Sequence, residues 1–123
     1  MVIVSSMVNR GRNTKSPVLV LGYRRSDLLA DLLTCLPQDR RIYIHIDGAT
    51  KNTIFDVKET VRIASEYKLK DRSGLIKLLH QNRNLGNLGS FKAAMEWVFS
   101  KEEELIFLED DIRFSNSFFQ YMD

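Results

Sequence analysis

Leu105-Ile106-Phe107-Leu108 runs directly into Glu109-Asp110-Asp111, so three consecutive carboxylates close an apolar stretch. Adjacent anions repel one another, and such a cluster becomes favourable when a divalent metal or a cationic ligand neutralises it. Other residues with chemical potential also stand where apolar runs stop. Arg24 and Arg25 follow Pro17–Gly22, where they read either as a solvated helix start or as cations that invite an anion between them, since positive charge at a helix N-terminus opposes the dipole. Asp47-Gly48 follows Arg41–Ile46 and reads either as a common turn pair or as a carboxylate offered to a ligand. His80-Gln81-Asn82-Arg83 leads into Asn84-Leu-Gly86-Asn-Leu-Gly89-Ser90, a loop able to present backbone N–H groups to phosphate, although it is neither GxGxxG nor a Walker loop. His45, inside an apolar run, reads as a satisfied core histidine, His80 reads either way, and Trp97 and Phe99 read as packing.

The elements that must position these groups follow from hydrophobic periodicity. Pro17–Gly22 predicts a strand, and Ser26 is expected to cap a helix that stops at Pro37. Arg41–Asp47 is β-branched and aromatic; Ile54, Val57, Val61 and Ala64 then recur at helical spacing, with Thr53 and Asp56 resembling a capping box. Leu75–Leu79 predicts a third strand, Phe91, Ala94, Met95 and Val98 the apolar stripe of a third helix, and Glu104–Leu108 a fourth strand. Strands separated by helices of this length imply an α/β fold with right-handed crossovers, a mostly parallel sheet and helices on both faces. In such sheets ligands bind beyond the carboxyl ends of the strands, which is where Tyr23-Arg24-Arg25, Asp47-Gly48, His80-Gln81-Asn82-Arg83 and Glu109-Asp110-Asp111 fall.

Composition narrows the function. The chain has 123 residues, 44% of them hydrophobic, enough for one domain with a real core. A net charge of +2 argues against a nucleic-acid binder that relies on a strongly basic surface. The charge is unevenly placed: residues 1–41 carry seven basic and three acidic side chains, residues 95–123 two basic and eight acidic. Cys35 is the single cysteine, so an intramolecular disulfide and a thiolate zinc site are excluded, and it is expected to pack with Leu28, Leu29, Leu32, Leu33 and Leu36. No run approaches the roughly 18 apolar residues of a membrane span, so a soluble, cytoplasmic chain is expected. Residues 1–16, polar and basic over 5–16, are expected to form a disordered leader.

Taken together, PVLVLGYRRSDLLADLL, IYIHIDG, LGSFKAAMEWVF and LIFLEDDIRFSNSFFQYM resemble the nucleotide-sugar-binding half of a GT-A glycosyltransferase, most of all the N-acetylglucosaminyltransferase-I-like family. The resemblance covers about residues 17–122 and rests chiefly on the last segment, where strand, Glu-Asp-Asp and a Phe-Phe pair agree. Asn82-Arg83-Asn84-x-Gly86 also looks like a loop of bacterial family-two transferases. The resemblance implies a UDP-sugar donor, with Asp111 holding Mn²⁺ or Mg²⁺ and Glu109 and Asp110 facing ribose and sugar hydroxyls. It further implies that Asp47, beside Gly48, accepts uracil N3–H and that Arg25 and Arg83 lie near the diphosphate. Hard oxygen ligands suit such a cation, which would stabilise the departing diphosphate.

In that family the acceptor half and the catalytic base follow the metal motif, so the base is expected beyond residue 123 and the acceptor stays open. The chain then reads as a donor half truncated after the metal motif, or as a fragment of a Golgi-lumenal domain. It would self-associate through an open sheet edge beside Leu108 and through Phe114, Phe118, Phe119 and Tyr121. A non-catalytic nucleotide-sugar-binding module would use nearly the same site. A response-regulator-like signalling domain shares the acidic cluster, but there the acid pair follows the first strand, not the last.

Overall fold

The structure is a computed structural model that describes residues 2–5 and 15–112. A five-stranded sheet runs in the order β1-β5-β2-β3-β4, with β1 Val2–Ser5, β2 Val18–Gly22, β3 Ile42–Ile46, β4 Ile76–His80 and β5 Glu104–Glu109. Strands β2 to β5 are parallel, and β1 lies antiparallel on β5 with Val2 opposite Phe107 and Ser5 opposite Glu104. Three helices connect them, α1 Ser26–Cys35, α2 Ile54–Leu69 and α3 Gly86–Phe99. The expected α/β class is thus what the chain adopts.

The period-two alternation of β2, β3 and β5 divides the core into two layers. Val18, Val20, Ile42, Ile44, Ile46, Ile106 and Leu108 face α1 and α2, where they meet Leu29, Leu32, Leu33, Val57 and Ala64. Leu19, Tyr43, Leu105 and Phe107 face the other way, onto Ala94 and Val98 of α3. Helix placement follows from handedness. The steps β2 to β3 and β3 to β4 move in one direction across the sheet and put α1 and α2 on one face; the return from β4 past β3 and β2 to β5 reverses direction and puts α3 on the other. That reversal creates a topological switch point between β2 and β5.

Several expectations are corrected. Val2–Ser5 is a strand rather than part of a disordered leader, because the outer side of β5 offers unpaired backbone groups that β1 takes up. For the same reason β5 is not an open edge. Residues 6–14 and 113–123, with the aromatics from Phe114 onward, lie outside the described residues. Cys35 is exposed, because the helical stripe set by Leu29, Leu32, Leu33 and Leu36 passes it by. Ser26 is the first residue of α1 rather than its cap; the N-cap is Arg25, with no side-chain cap bond. Thr53 is the N-cap of α2, but its hydroxyl accepts from the Thr50 amide at 2.8 Å and pairs with the Tyr23 hydroxyl at 2.8 Å, so no capping box forms.

Among the described residues no helix is long and apolar enough to cross a membrane.

Candidate functional site

A cleft of about 570 Å³ opens at the carboxyl ends of β2, β3 and β5, over the switch point. Leu21 and Gly22 of β2 and Glu109 of β5 line it, with Tyr23, Asp47 and Asp110 just beyond the ends of β2, β3 and β5 and Arg25 at the start of α1. Asn87, Leu88, Ser90 and Phe91 close it from the first turns of α3. Its position follows from topology: adjacent strands whose connections depart to opposite faces leave a crevice that no helix covers.

The acidic wall is paired to a cation. Arg25 Nη2 donates to Asp110 Oδ1 at 2.9 Å, and its Nη1 lies 3.9 Å from Asp111 Oδ2. The Arg25 guanidinium has no acceptor atom with which to cap the amides of α1, and it reaches instead to Asp110 at the end of β5. The Asp110 side chain is buried, while Arg25 and Asp111 are about half exposed. Burial pushes the Asp110 carboxyl above its ordinary value against the pull of Arg25, and the charges of Asp111 and Glu109 push it the same way. Arg25 is thus the cation that stands against Asp110 and Asp111 among the described residues, with Glu109 beside them. Among the described residues no three His, Cys, Asp or Glu side chains converge as a metal cage. A cation here would take hard carboxylate oxygen from the β5 end and most of its remaining ligands from water or from a bound molecule.

Asp47 is engaged quite differently. Oδ1 accepts from the amides of Gly48 at 2.8 Å and Leu85 at 2.9 Å, and Oδ2 accepts from Asn84 Nδ2 at 3.1 Å and the amide of Gly86 at 3.2 Å. Two of these donors belong to the otherwise orphaned amides at the start of α3, whose positive dipole end the carboxylate also complements. Gly86 takes φ +80°, a left-handed turn that glycine adopts without strain and that begins the helix on this carboxylate. The expected role of Asp47, accepting uracil N3–H, meets a carboxylate that already holds two donors on each oxygen.

Gly48 is required for another reason. A Cβ there would stand 2.2 Å from the carbonyl carbon of Arg83 and 2.6 Å from its Cα, so the loop after β4 lies directly on the loop after β3. Arg83 itself is exposed and is not part of the cleft wall.

Behind α3 a buried polar chain supports the wall. His45 is fully buried, with Nε2 3.1 Å from Gln81 Nε2 and Nδ1 3.4 Å from Ser90 Oγ. With the Gln81 amide donating, the neutral ring carries its proton on Nδ1, facing Ser90. Burial lowers the affinity of His45 for a second proton, more than the Asp47 carboxylate restores it, and His80 lowers it further. His45 is thus a satisfied core histidine, as its place in the strand implies. Trp97 meets Tyr43 edge to face at 5.2 Å and Phe91 meets Phe107 at 5.3 Å, which fixes α3 against the sheet.

Of the residues nominated by sequence, Arg25, Asp47, Glu109 and Asp110 line the cleft. Asp111 stands beside it near Arg25, Gly48 lies against the neighbouring loop, and Arg83 is exposed and outside the lining. Leu21, Gly22, Tyr23, Asn87, Leu88, Ser90 and Phe91 complete the wall; of these Asn87, Leu88 and Ser90 belong to the segment expected to be a phosphate-facing loop, which from Gly86 onward is helix α3, whereas Phe91 was expected only to pack. Their signal was present for α3: residues 87–91 open the helix that follows the glycine-bearing loop, where ligand-facing groups are expected.

No family model, curated protein or solved structure matches the chain. The class that its fold and site define is therefore set by geometry: an α/β domain with a mixed cation and carboxylate cleft at the switch point of a parallel sheet.

Proposed function

We propose that this chain is the donor-binding domain of a metal-dependent glycosyltransferase and that the cleft receives a uridine diphosphate sugar. The observation that carries this reading is the coincidence of the switch-point cleft with Arg25 and the consecutive acids Glu109, Asp110 and Asp111. A diphosphate needs positive charge and a sugar needs acceptors for its hydroxyls; the cleft offers both, Arg25 from the start of α1 and the acids from the end of β5. Asp111, half exposed at the end of β5, would hold Mn²⁺ or Mg²⁺, which when bound supplies Lewis-acid stabilisation of the leaving diphosphate. Arg25 orients the phosphates and holds Asp110 in place. Glu109 and Asp110 accept from ribose and sugar hydroxyls, and the first turns of α3 close over the nucleoside, with Phe91 and Leu88 as apolar surface.

Calorimetric titration of UDP with Mn²⁺ and with chelator tests the reading. Binding should strengthen with the metal, and Asp111→Ala should remove that metal-dependent part while urea unfolding stays unchanged. Equal affinity with and without metal would overturn the assignment.

A further inference from the structure

A hydroxyl within a helix usually gives its proton to a carbonyl one turn back. Thr34, Thr60 and Ser100 do so, to the carbonyls of Asp31, Asp56 and Trp97 at 2.7, 3.0 and 2.6 Å. Ser90, in the second turn of α3, does not. Among the described residues its Oγ has one partner, Nδ1 of His45 at 3.4 Å. Ser90 is only 4% exposed, yet it lines the cleft.

His45 decides the polarity of that hydroxyl. Gln81 Nε2 lies 3.1 Å from His45 Nε2, and with the amide donating there the ring proton stands on Nδ1. A hydrogen bond from the ring to its own backbone favours the same placement, since Nδ1 is the ring nitrogen beside the chain. A protonated Nδ1 has nothing left with which to accept, so the Ser90 hydroxyl takes the histidine proton and cannot give its own in return. Denied both its histidine neighbour and its own helix, the Ser90 O–H is left to donate into the cleft.

The sheet order sets where along a bound donor this hydroxyl acts. Ser90 rests on His45 of β3, and β2 stands between β3 and β5, whose end carries Glu109, Asp110 and Asp111. Two strand spacings are about 10 Å, a distance on the scale of a nucleotide. With the diphosphate at Arg25 and the sugar hydroxyls at the acids of β5, the base falls on the β3 side, and the ring atom of uracil most remote from the ribose is O4. We infer that Ser90, held as a donor by His45, reads uracil O4 and is a specificity-determining residue of the cleft. This deepens the donor reading and rests on it. Cytosine carries an NH₂ where uracil carries O4, so two donors would face each other, and the hydroxyl could accept only by leaving its own proton buried without a partner. His45, one layer behind, is the positioning residue.

The test titrates the full chain, with Mn²⁺, against UDP, 4-thio-UDP and 2-thio-UDP. Sulfur is a poor acceptor and leaves N3–H in place, so each analogue removes one carbonyl oxygen without touching the protein. UDP should bind about tenfold more tightly than 4-thio-UDP and within about twofold of 2-thio-UDP. Ser90→Ala, with its urea midpoint as a folding check, should weaken UDP about tenfold and bring it level with 4-thio-UDP, the coupling expected of a direct pair. A ¹H–¹⁵N correlation of the imidazole should show the proton of His45 on Nδ1; a proton on Nε2 would make Ser90 an acceptor and overturn the inference. Metal-dependent binding that is equal for UDP and 4-thio-UDP overturns it too and leaves the donor reading standing, as does a penalty that falls on 2-thio-UDP instead. Metal-independent binding with the 4-thio penalty and its loss in Ser90→Ala intact would keep Ser90 as the reader of the base and overturn the metal-dependent donor reading. No binding of UDP at all overturns both.

Discussion

Asp47→Ala separates two roles for one carboxylate. If Asp47 holds the loop before α3, its removal strands four donors, but at unequal cost. Asn84, Leu85 and Gly86 sit on partly or fully exposed residues where water replaces the lost bonds, whereas Gly48 is buried. An orphaned buried amide costs about 2 kcal/mol and the lost start of a helix about 1 kcal/mol, so Asp47→Ala should destabilise by about 3 kcal/mol. Asp47→Asn keeps one acceptor for Gly48 and Leu85 but turns an amide NH₂ toward Gly86 and Asn84 and surrenders the charge opposite the helix dipole, so about 1.5 kcal/mol is expected. Urea unfolding at constant m-value measures both, with amide exchange at Gly86 reporting the loop directly. The same variants should be titrated with UDP and CDP. An Asp47→Ala midpoint within about 0.5 kcal/mol of the parent, together with a lost preference for uridine, would refute the structural role and restore Asp47 as the base-recognising group.

Three further outcomes follow from the same geometry. Gly48→Ala drives a Cβ into the Arg83 backbone and should cost about 2–3 kcal/mol and shift the Leu85 and Gly86 amide resonances; an unchanged urea midpoint would show that the loop gives way freely. His45 is held neutral, so below about pH 6.5 the unfolded chain takes up a proton that the folded chain refuses; stability is full above that pH and falls on acidification with a limiting slope of about 1.4 kcal/mol per pH unit, a slope that His45→Gln should flatten in pH-dependent urea curves. At the opposite, amino end of the sheet, Glu102 accepts from Arg41 at 2.5 and 2.8 Å and from the Tyr43 hydroxyl at 2.7 Å, and burial with this bond pushes Tyr43 up to about 12. Glu102→Gln should cost about 1–2 kcal/mol and lower the Tyr43 titration by ultraviolet absorbance, yet leave UDP binding untouched; an altered affinity would mean that the two ends of the sheet are coupled.

What was legible in the sequence is what local periodicity encodes. Val18–Val20, Ile42–Ile46 and Leu105–Leu108 announce strands because parallel strands buried on both faces are continuously apolar, and the helices between them fix the class and the functional edge. The Arg25 to Asp110 pair was reachable only as two neighbours of that edge, since the partners are 85 residues apart and nothing local matches them. The strand Val2–Ser5 was missed because an edge strand needs little burial to form and draws its register from β5, which no pattern within those residues specifies. The caps of α1 and α2 were misread for a related reason. Arg25, Thr53 and Asp47 spend their polar atoms on partners across loops, and such tertiary hydrogen bonds override the local signals on which capping motifs rest.

The redistribution of Asp47 also constrains recognition. With its carboxylate turned into the loop, a nucleoside bound as proposed would meet the polar lining residues of α3, Asn87 and Ser90. Those groups are placed by the register of residues 84–86, and that register is set by Asp47 and by the backbone contact at Gly48. Base preference would then depend on Asp47 through geometry rather than through contact. The two mechanisms part under mild perturbation: Asp47→Asn, which holds the loop in part, should retain most of the uridine preference if Asp47 acts by placing α3, whereas direct recognition of N3–H would be weakened by the same loss of an acceptor oxygen. A uridine-to-cytidine ratio that tracks the stability of the Asp47 variants supports placement, and a ratio that collapses in Asp47→Asn while the fold holds defeats it.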